Sequence, residues 1–152
     1  MRFQLVVGAL VFCLTASAVA FAATGSRAGP KPDLVVSSIS NPPRTVFAGN
    51  SFAVNDTTRN LGAAAARATS TRYYYVDADG NRTAGGRHPV SRLRPHRGSA
   101  RTASAIVPMT LERGTYSFVA CADATRTVKE SNERNNCRTA ATKVVVRKIP
   151  PA

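Results

Sequence analysis

The sequence predicts an all-β fold, an immunoglobulin-like antiparallel β-sandwich of about seven strands. From Asp33 onward, short segments rich in Val, Thr, Tyr and Ile alternate with turns built from Gly, Pro, Asn and Asp. No segment shows the periodicity of an amphipathic helix. The one Ala-rich patch, GAAAARA at 62–68, is short and lies in a connection. Short strands without intervening helices favour a sandwich over a parallel sheet.

The first predicted strands are separated by strong turn signals. The segment DLVVSSI (33–39) ends at the consecutive prolines of SNPPR, because proline cannot donate a hydrogen bond to a neighbouring strand. After a turn at Ala48-Gly49-Asn50, apolar and polar residues alternate in SFAVNDTTRN (51–60). The segment ATSTRYYYV (68–76) is rich in Thr and Tyr and is the strongest strand prediction.

The remaining predicted strands follow a tight hairpin. Asp79-Gly80 predicts its turn, and a weaker strand is expected from about Thr83 to Val90. Alternation returns in SARTASAIVPM (99–109), and TYSFVACAD (115–123) follows it. The segment TAATKVVVR (139–147) then closes the domain.

The N-terminus has the pattern of an export signal. Arg2 precedes the apolar segment FQLVVGALVFCL, and Ala20-Phe21-Ala22 supplies the small residues that a signal peptidase recognises. We expect cleavage after Ala22 and release of the chain to the cell exterior, as a secreted or cell-surface protein with no transmembrane segment. The predicted organisation is a signal peptide at 1–22, a flexible linker at 23–31, a β-sandwich domain at 32–147 and a tail at 148–152.

The chain is strongly basic, with 21 Lys and Arg against 8 Asp and Glu and a net charge of +13. Such a field attracts polyanions, among them nucleic acid and anionic wall polymers. The candidate contacts lie in RHPVSRLRPHRGSAR (87–101) and are Arg87, Arg92, Arg94, Arg97 and Arg101. Compositional bias is the alternative explanation, since Arg outnumbers Lys 17 to 4. Stacking on bases has little support, because Trp is absent and the basic segment contains no aromatic residue beyond its histidines.

Two cysteines remain after the predicted cleavage, because Cys13 lies in the signal peptide. A lone cysteine pair in an oxidising compartment predicts a disulfide between Cys121 and Cys137. Pairing of the two flanking strands would place these residues opposite each other. The Cα atoms of such cross-strand neighbours are about 4.5–5.5 Å apart, which lies within the range that a disulfide accepts. The enclosed loop has 17 residues, counting both cysteines.

The stretch between these cysteines, ADATRTVKESNERNN, concentrates acids and asparagines. Calcium is the one cofactor that these oxygen ligands suggest, and its candidate ligands are Asp123, Glu130, Glu133, Asn135 and Asn136. The alternative is a metal-free loop in which Asp and Asn side chains accept hydrogen bonds from backbone amides and Val128 anchors the connection in the core. The second acidic spot, VDADGN (76–81), is interpreted as a hairpin tip.

No catalytic residue is assigned. The sequence contains no Gly-x-Ser-x-Gly, His-Glu-x-x-His or nucleotide-binding motif. His88 and His96 lie among arginines, which should disfavour the imidazolium form. An enzyme or enzyme inhibitor is therefore the weakest of the alternatives.

Five segments form a pattern that is known from one family: PDLVV at 32–36, NLG at 60–62, the strand-entry segment at Leu93, GTYSFVACAD at 114–123 and, most specifically, VKESNERNN at 128–136. They resemble the CARDB module, the cell-adhesion-related domain found in bacteria. The resemblance covers roughly 32–147 and implies a seven-stranded immunoglobulin-like fold and a non-catalytic module on an exported or surface protein. The resemblance implies no ligand. For a secreted module of this type we expect an unidentified extracellular protein or glycan as partner.

Overall fold

The computed structural model describes residues 29–149, which form eight strands. In chain order these are β1 (Leu34–Ile39), β2 (Thr45–Phe47), β3 (Ser51–Asn60), β4 (Thr69–Val76), β5 (Arg82–Val90), β6 (Gly98–Ile106), β7 (Gly114–Ala122) and β8 (Cys137–Arg147). The predicted signal peptide and its cleavage site lie outside the described residues. Residues 29–149 contain no helix long and apolar enough to cross a bilayer.

The strands form two sheets, which confirms the predicted β-sandwich. One sheet has the order β1-β3-β6 and the other has the order β2-β8-β7-β4-β5. All pairings between strands are antiparallel except that of β2, which runs parallel to β8. The seven predicted strands correspond to β1 and β3 to β8. The eighth strand, β2, was not predicted, because three residues after Pro42-Pro43 are too few to show an alternating pattern.

An aromatic cluster fills the centre of the sandwich. Tyr73, Tyr75 and Phe118 are fully buried, and the ring of Phe118 lies 5.6 Å from that of Tyr73 and 5.4 Å from that of Tyr75. Phe52 of β3 contacts the same ring at 5.3 Å and so joins the two sheets. In antibody domains a disulfide joins the corresponding strands. Here aromatic packing, at about 0.5–1.5 kcal/mol per pair beyond area burial, takes that place.

A bulge in β5 brings the two sheets together at one edge. The register between β4 and β5 shifts between Arg72 and Tyr74, where Gly85 and Gly86 form the extra residues. Gly86 has φ of 103°, a conformation that favours glycine. A Cβ on Gly85 would lie 2.6 Å from the ring of Tyr75 and 3.2 Å from the carbonyl oxygen of Ile106. The glycines therefore let β5 bend over the core toward β6.

The two ends of the sandwich carry different elements. Cys121 faces Cys137, and Leu34 pairs with Asn60, so β1 and β8 begin where β3 and β7 finish. We call this the disulfide end, and the connection between β7 and β8 lies there. At the opposite end Phe47 pairs with Arg147, so β2 and β8 both finish there. The first strand of the domain thus begins at one end, and its last strand finishes at the other.

Candidate functional site

The disulfide joins two adjacent strands at the disulfide end. Cys121 and Cys137 are directly paired between β7 and β8, and their Cα atoms are 4.0 Å apart. Cys121 is buried, whereas Cys137 is exposed. The bond therefore closes the base of the connection at 123–136 and connects strands of one sheet, unlike the inter-sheet disulfide of antibody domains.

Asp123 organises the first half of this connection. Its φ is 40°, a left-handed conformation that Asp tolerates better than most residues. Its Oδ1 accepts hydrogen bonds from the hydroxyls of Thr69 (2.6 Å) and Thr127 (2.7 Å), and its Oδ2 accepts one from the backbone amide of Val128 (2.7 Å). Burial opposes ionisation, but these hydrogen bonds outweigh it and lower the pKa of Asp123. Val128 is buried as the anchor of the loop.

Glu130 attaches the connection to β1. Its carboxylate accepts hydrogen bonds from the backbone amide of Leu34 and, at 2.7 Å, from Nδ2 of Asn136. Glu133 in turn accepts a hydrogen bond from the backbone amide of Glu130 at 2.9 Å. Burial of the carboxyl, with the neighbouring acids Glu133 and Asp123, raises the pKa of Glu130 to about 7 despite these donors.

Two further residues of the connection bind the segment that leads into β1. The backbone amide and the hydroxyl of Ser131 both donate to the carbonyl oxygen of Pro32, at 2.9 and 3.3 Å. Nδ2 of Asn135 donates to the Asp33 carboxylate at 3.0 Å. The polar motif ESNERNN thus holds the beginning of the domain against its last hairpin.

Asn60 and Gly62, at the end of β3 in the three-stranded sheet, also hold the segment that leads into β1. The Oδ1 of Asn60 accepts hydrogen bonds from the amides of Asp33 and Gly62, both at 3.0 Å, while its Nδ2 donates to the carbonyl oxygens of Ala64 (2.8 Å) and Leu93 (3.2 Å). All four bonding positions of this fully buried amide are therefore used. A Cβ on Gly62 would lie 2.4 Å from the Lys31 carbonyl oxygen. From the sequence alone, Asn60 marked only the end of a strand, and NLG only part of a family pattern.

The predicted calcium ligands are only partly brought together. Asp123, Glu133 and Asn136 line a cavity of about 120 Å³ beside the disulfide, whereas Glu130 and Asn135 do not line it. Three buried oxygens of the loop accept no hydrogen bond: Oε2 of Glu133, Oδ1 of Asn135 and Oδ1 of Asn136. Arg82 and Arg126 line the same cavity and disfavour a cation. Within residues 29–149, no cluster of three or more His, Cys, Asp or Glu side chains is suited to a metal.

A polar cluster that no sequence pattern predicted lies between the two sheets. The buried Asp56 of β3 accepts hydrogen bonds on Oδ2 from the hydroxyl of Tyr73 and from Nε2 of His88, the latter at 2.8 Å. Nδ1 of His88 lies 3.2 Å from the carbonyl oxygen of Pro89, so both ring nitrogens face an acceptor. The bond to Asp56 raises the pKa of His88, although burial and Arg101 oppose this. The expectation that arginines would disfavour the imidazolium form is therefore wrong for His88, because the buried carboxylate outweighs them.

The basic residues of 87–101 separate into two groups. Arg87 on β5 and Arg101 on β6 line one cleft across the edge where the sheets meet. Arg92, Arg94 and Arg97 are exposed on the connection between β5 and β6. The first group acquires a neighbour that was not predicted, because Arg67 lines a second cleft together with Arg87.

The strand order and the contacts of Tyr116 define the class of protein. The hydroxyl of Tyr116, near the beginning of β7, donates to the carbonyl oxygen of Glu112 at 3.0 Å, the tyrosine corner found in immunoglobulin-like sandwiches. The protein is thus an immunoglobulin-like module, here with a disulfide across its last hairpin. A family model described as CARDB matches residues 31–140, and the chain belongs to this family. CARDB domains are non-catalytic, binding-type domains associated with cell surfaces.

Solved CARDB domains are similar over most of this chain. The CARDB domain of a Pyrococcus furiosus protein, crystallised in complex with di-metal ions, is 27% identical with a TM-score of 0.53, covering 79% of this chain and 96% of that one. Its solution NMR structure gives 28% identity, a TM-score of 0.51 and coverage of 76% and 95%. A domain of a candidate cell-surface protein from Methanosarcina acetivorans shares the fold at 22% identity and a TM-score of 0.52, covering 77% of this chain and 93% of that one. A comparison with curated proteins finds no match.

Proposed function

We propose that this chain is an exported, non-enzymatic binding module of the adhesion type that acts at the bacterial cell exterior. The observation that carries the proposal is the CARDB match, which covers 31–140 and therefore nearly all of the β-sandwich. The predicted signal peptide and the cysteine pair are consistent with export.

The distribution of polar residues supports a binding role. Most acids and asparagines of the connection at 123–136 hold other parts of the fold, as the contacts of Asp123, Glu130 and Asn135 show. The exposed surface is dominated instead by arginine. Chemistry available to a partner therefore lies on the basic faces of the sandwich and not in the polar loop.

Expression in the producing organism tests this proposal directly. The N-terminus of the mature protein should be Ala23, and the protein should be recovered from the medium or the cell envelope. Purified protein should then bind isolated envelopes of that organism in a sedimentation assay. An intact N-terminus on a cytoplasmic protein, or the absence of envelope binding, would contradict the proposal.

A second candidate function is cation binding at the β7–β8 connection. The unpaired buried oxygens of Glu133, Asn135 and Asn136 favour it, and the Pyrococcus domain was crystallised with di-metal ions. Glu133, Asn136 and Asp123 would hold the ion, since they share one cavity. Calcium suits carboxylate and amide oxygens but takes six to eight of them, so water would supply the remainder.

Thermal unfolding with calcium and chelator distinguishes the two views of this loop. An ion that binds only the folded state stabilises it by mass action and so raises the melting temperature. At a free calcium concentration of a hundred times the dissociation constant, the free energy of unfolding increases by about 2.7 kcal/mol. The variant Glu133→Gln can keep the hydrogen bond to Glu130 and remove the charge, so it should lose the shift, whereas Glu112→Gln on the surface should retain it. No shift at millimolar calcium would leave the loop as a metal-free structural element.

A further inference from the structure

Within residues 29–149, no arginine forms a salt bridge with a carboxylate. All eight acids lie within residues 29–149, and seven of them accept side-chain or backbone hydrogen bonds there. The salt bridges of the described region are His88–Asp56 and Lys148–Glu112, and neither contains arginine. Internal hydrogen bonding thus occupies nearly all of the negative charge of this region. The arginine side chains have at most neutral partners here, such as the carbonyl oxygen of Thr127 for Arg67 and the ring of Tyr74 for Arg82, so their charge is open to external anions.

Four of these arginines meet at the β5 edge of the five-stranded sheet. Arg87 lines an open cleft of about 510 Å³ with Arg67, and a second one of about 400 Å³ with Arg101. Arg72 is the direct cross-strand neighbour of Arg87 on β4. Like charges in that position destabilise a sheet unless an anion lies between or beside them. We call Arg67, Arg72, Arg87 and Arg101 the arginine edge.

Small side chains complete the lining of the two clefts, and some of them are hydroxyl donors. The hydroxyls of Thr69 and Thr127 already donate to Asp123 and that of Thr102 to Asn55, which leaves Ser70 and Thr125 in the first cleft and Ser104 in the second. Neither cleft is lined by a carboxylate. Guanidinium groups with nearby hydroxyls suit a phosphate oxyanion, which arginine binds through charge-assisted and often bidentate hydrogen bonds.

The surroundings of the arginine edge argue against bases and lipid. Apart from the buried His88, no aromatic side chain lines the two clefts, so bases have no exposed ring on which to stack. The exposed apolar side chains of Phe47 and Val145 lie on β2 and β8, toward the opposite edge of the sheet order, and only Ile106 is on a strand beside the clefts. Insertion into a bilayer therefore has little apolar surface here.

We propose that the arginine edge binds a linear phosphodiester polymer without bases, with consecutive phosphates in the two clefts on either side of Arg87. The proposal rests on the binding function proposed above and gives it a ligand class. Charge in the backbone of the polymer explains why two clefts share one arginine: a chain that crosses β5 at Arg87 presents consecutive phosphates to the cleft on each side of this strand. Polymers with sulfate or carboxylate side groups, nucleic acid and anionic vesicles are the alternatives that the test separates.

The test compares two triple variants with the same loss of charge. Arg67→Gln, Arg87→Gln and Arg101→Gln remove the edge, whereas Arg113→Gln, Arg138→Gln and Arg147→Gln remove exposed arginines elsewhere. The probe is a synthetic abasic single-stranded phosphodiester oligomer, titrated at several salt concentrations. The edge variant should bind about 10-fold more weakly at about 0.1 M salt, with a salt slope lower by about 1.4, because the loss of each of the two bound phosphates changes it by about 0.7. The control variant should change affinity by less than about 3-fold.

Several outcomes would overturn the proposal. Equal weakening of both variants would assign binding to the overall charge, and tighter binding of an oligonucleotide of the same length would indicate base recognition. Preference for heparin, polyglutamate or anionic vesicles would assign the edge to those ligands. Envelope sedimentation separates this proposal from the general one: envelope binding that the edge variant retains in full refutes the arginine edge alone, whereas no envelope binding by the wild type refutes the binding module. The melting temperature of each variant confirms that it is folded.

Discussion

Asp56, Tyr73 and His88 place hydrogen-bonded charge inside a core that is otherwise aromatic and aliphatic. The three residues come from β3, β4 and β5, so the cluster ties one sheet to the other. A buried pair of this kind stabilises a fold only while both members are charged and bonded, and breaking it leaves a buried charge without a partner. The stability of the sandwich should therefore depend on the protonation of one histidine.

The pH dependence of stability should follow His88. Its pKa is raised in the folded protein, so the pair stabilises the fold fully below the ordinary value of about 6.5 and this contribution is lost as pH rises through the raised pKa. Chemical denaturation from about pH 5.5 to 8.5 should show His88→Gln losing about 1–3 kcal/mol at the acid end and progressively less above it. Glu130 titrates in the same range, but its contribution cancels when the free energy of unfolding of the variant is subtracted from that of the wild type at each pH.

A second histidine provides the matched control for this measurement. His96 is exposed and has φ of 59°, which asparagine also tolerates, so His96→Asn should leave the pH profile of the wild type unchanged. If the difference between the wild type and His88→Gln stays constant across the range, folding does not raise the pKa of His88, and a difference that decreases toward acid pH would show that His88 is held neutral in the folded state.

Gly62 is required by space and not by backbone conformation. Any Cβ there would lie within 2.6 Å of Lys31, Pro32 and Asp33 backbone atoms, which cannot move without displacing the beginning of β1. Gly62→Ala should lower the free energy of unfolding by about 1–3 kcal/mol, measured by urea denaturation. Gly29→Ala, whose added Cβ meets no atom within 4 Å, should have almost no effect. Equal stability of both variants would show that the β1 attachment adapts to the added methyl group.

The hairpin of β7 and β8 is the element whose stability depends most on a covalent bond. The disulfide closes its connection. Within that connection Glu130 accepts a hydrogen bond from the amide of Leu34, while Ser131 and Asn135 donate to the segment just before β1. Loss of the bond should therefore affect the first strand as well as the last.

Replacing both cysteines by alanine should cost about 3 kcal/mol, as expected for a loop of this length, and lower the melting temperature by roughly 10 °C. The comparison requires protein oxidised on export, and peptide mapping without reductant should recover both cysteines in one fragment. Hydrogen exchange at Leu34 should also become faster in the double variant. Free thiols in the exported protein, or an unchanged melting temperature, would contradict the structural role of the bond.

Sequence patterns predicted the strands better than the contacts between them. Alternation and turn residues identified seven strands, because each of those signals lies within one local segment. The strand β2 escaped because three residues show no period, and the role of Asn60 escaped because its partners at Asp33 and Leu93 are 27 and 33 residues away. His88 was misjudged for the same reason: its arginine neighbours are close in sequence, but Asp56 is 32 residues away.

Among the candidate site residues, the cysteines were the easiest to predict. Export and pairing of adjacent strands suffice to place Cys121 opposite Cys137. The grouping of arginines could not be predicted, because Arg67 and Arg101 lie 20 and 14 residues from Arg87 and meet it only through the bulge and the sheet edge. Residue spacing along the chain contains no information about such an edge.

At the scale of the whole molecule, the domain separates structural charge from surface charge. Its few carboxylates are largely engaged within the fold, while arginines occupy the exposed faces. Such an uncompensated field keeps copies of the domain apart in solution and speeds its encounter with anionic surfaces. Salt should reduce that encounter far more than it reduces folding stability.

The placement of β1 and β8 gives the domain a mechanical direction. Because β1 begins at the disulfide end and β8 finishes at the other, tension applied through residues 29 and 149 pulls these strands along their lengths, and many ladder hydrogen bonds share the load. The disulfide also reduces the contour length of chain that is released when the domain unfolds under force. Single-molecule stretching should release roughly 50 Å less contour length in the oxidised domain than in the double alanine variant, because 16 residues remain bridged. A module that anchors a cell would then yield at high force and extend only a limited distance.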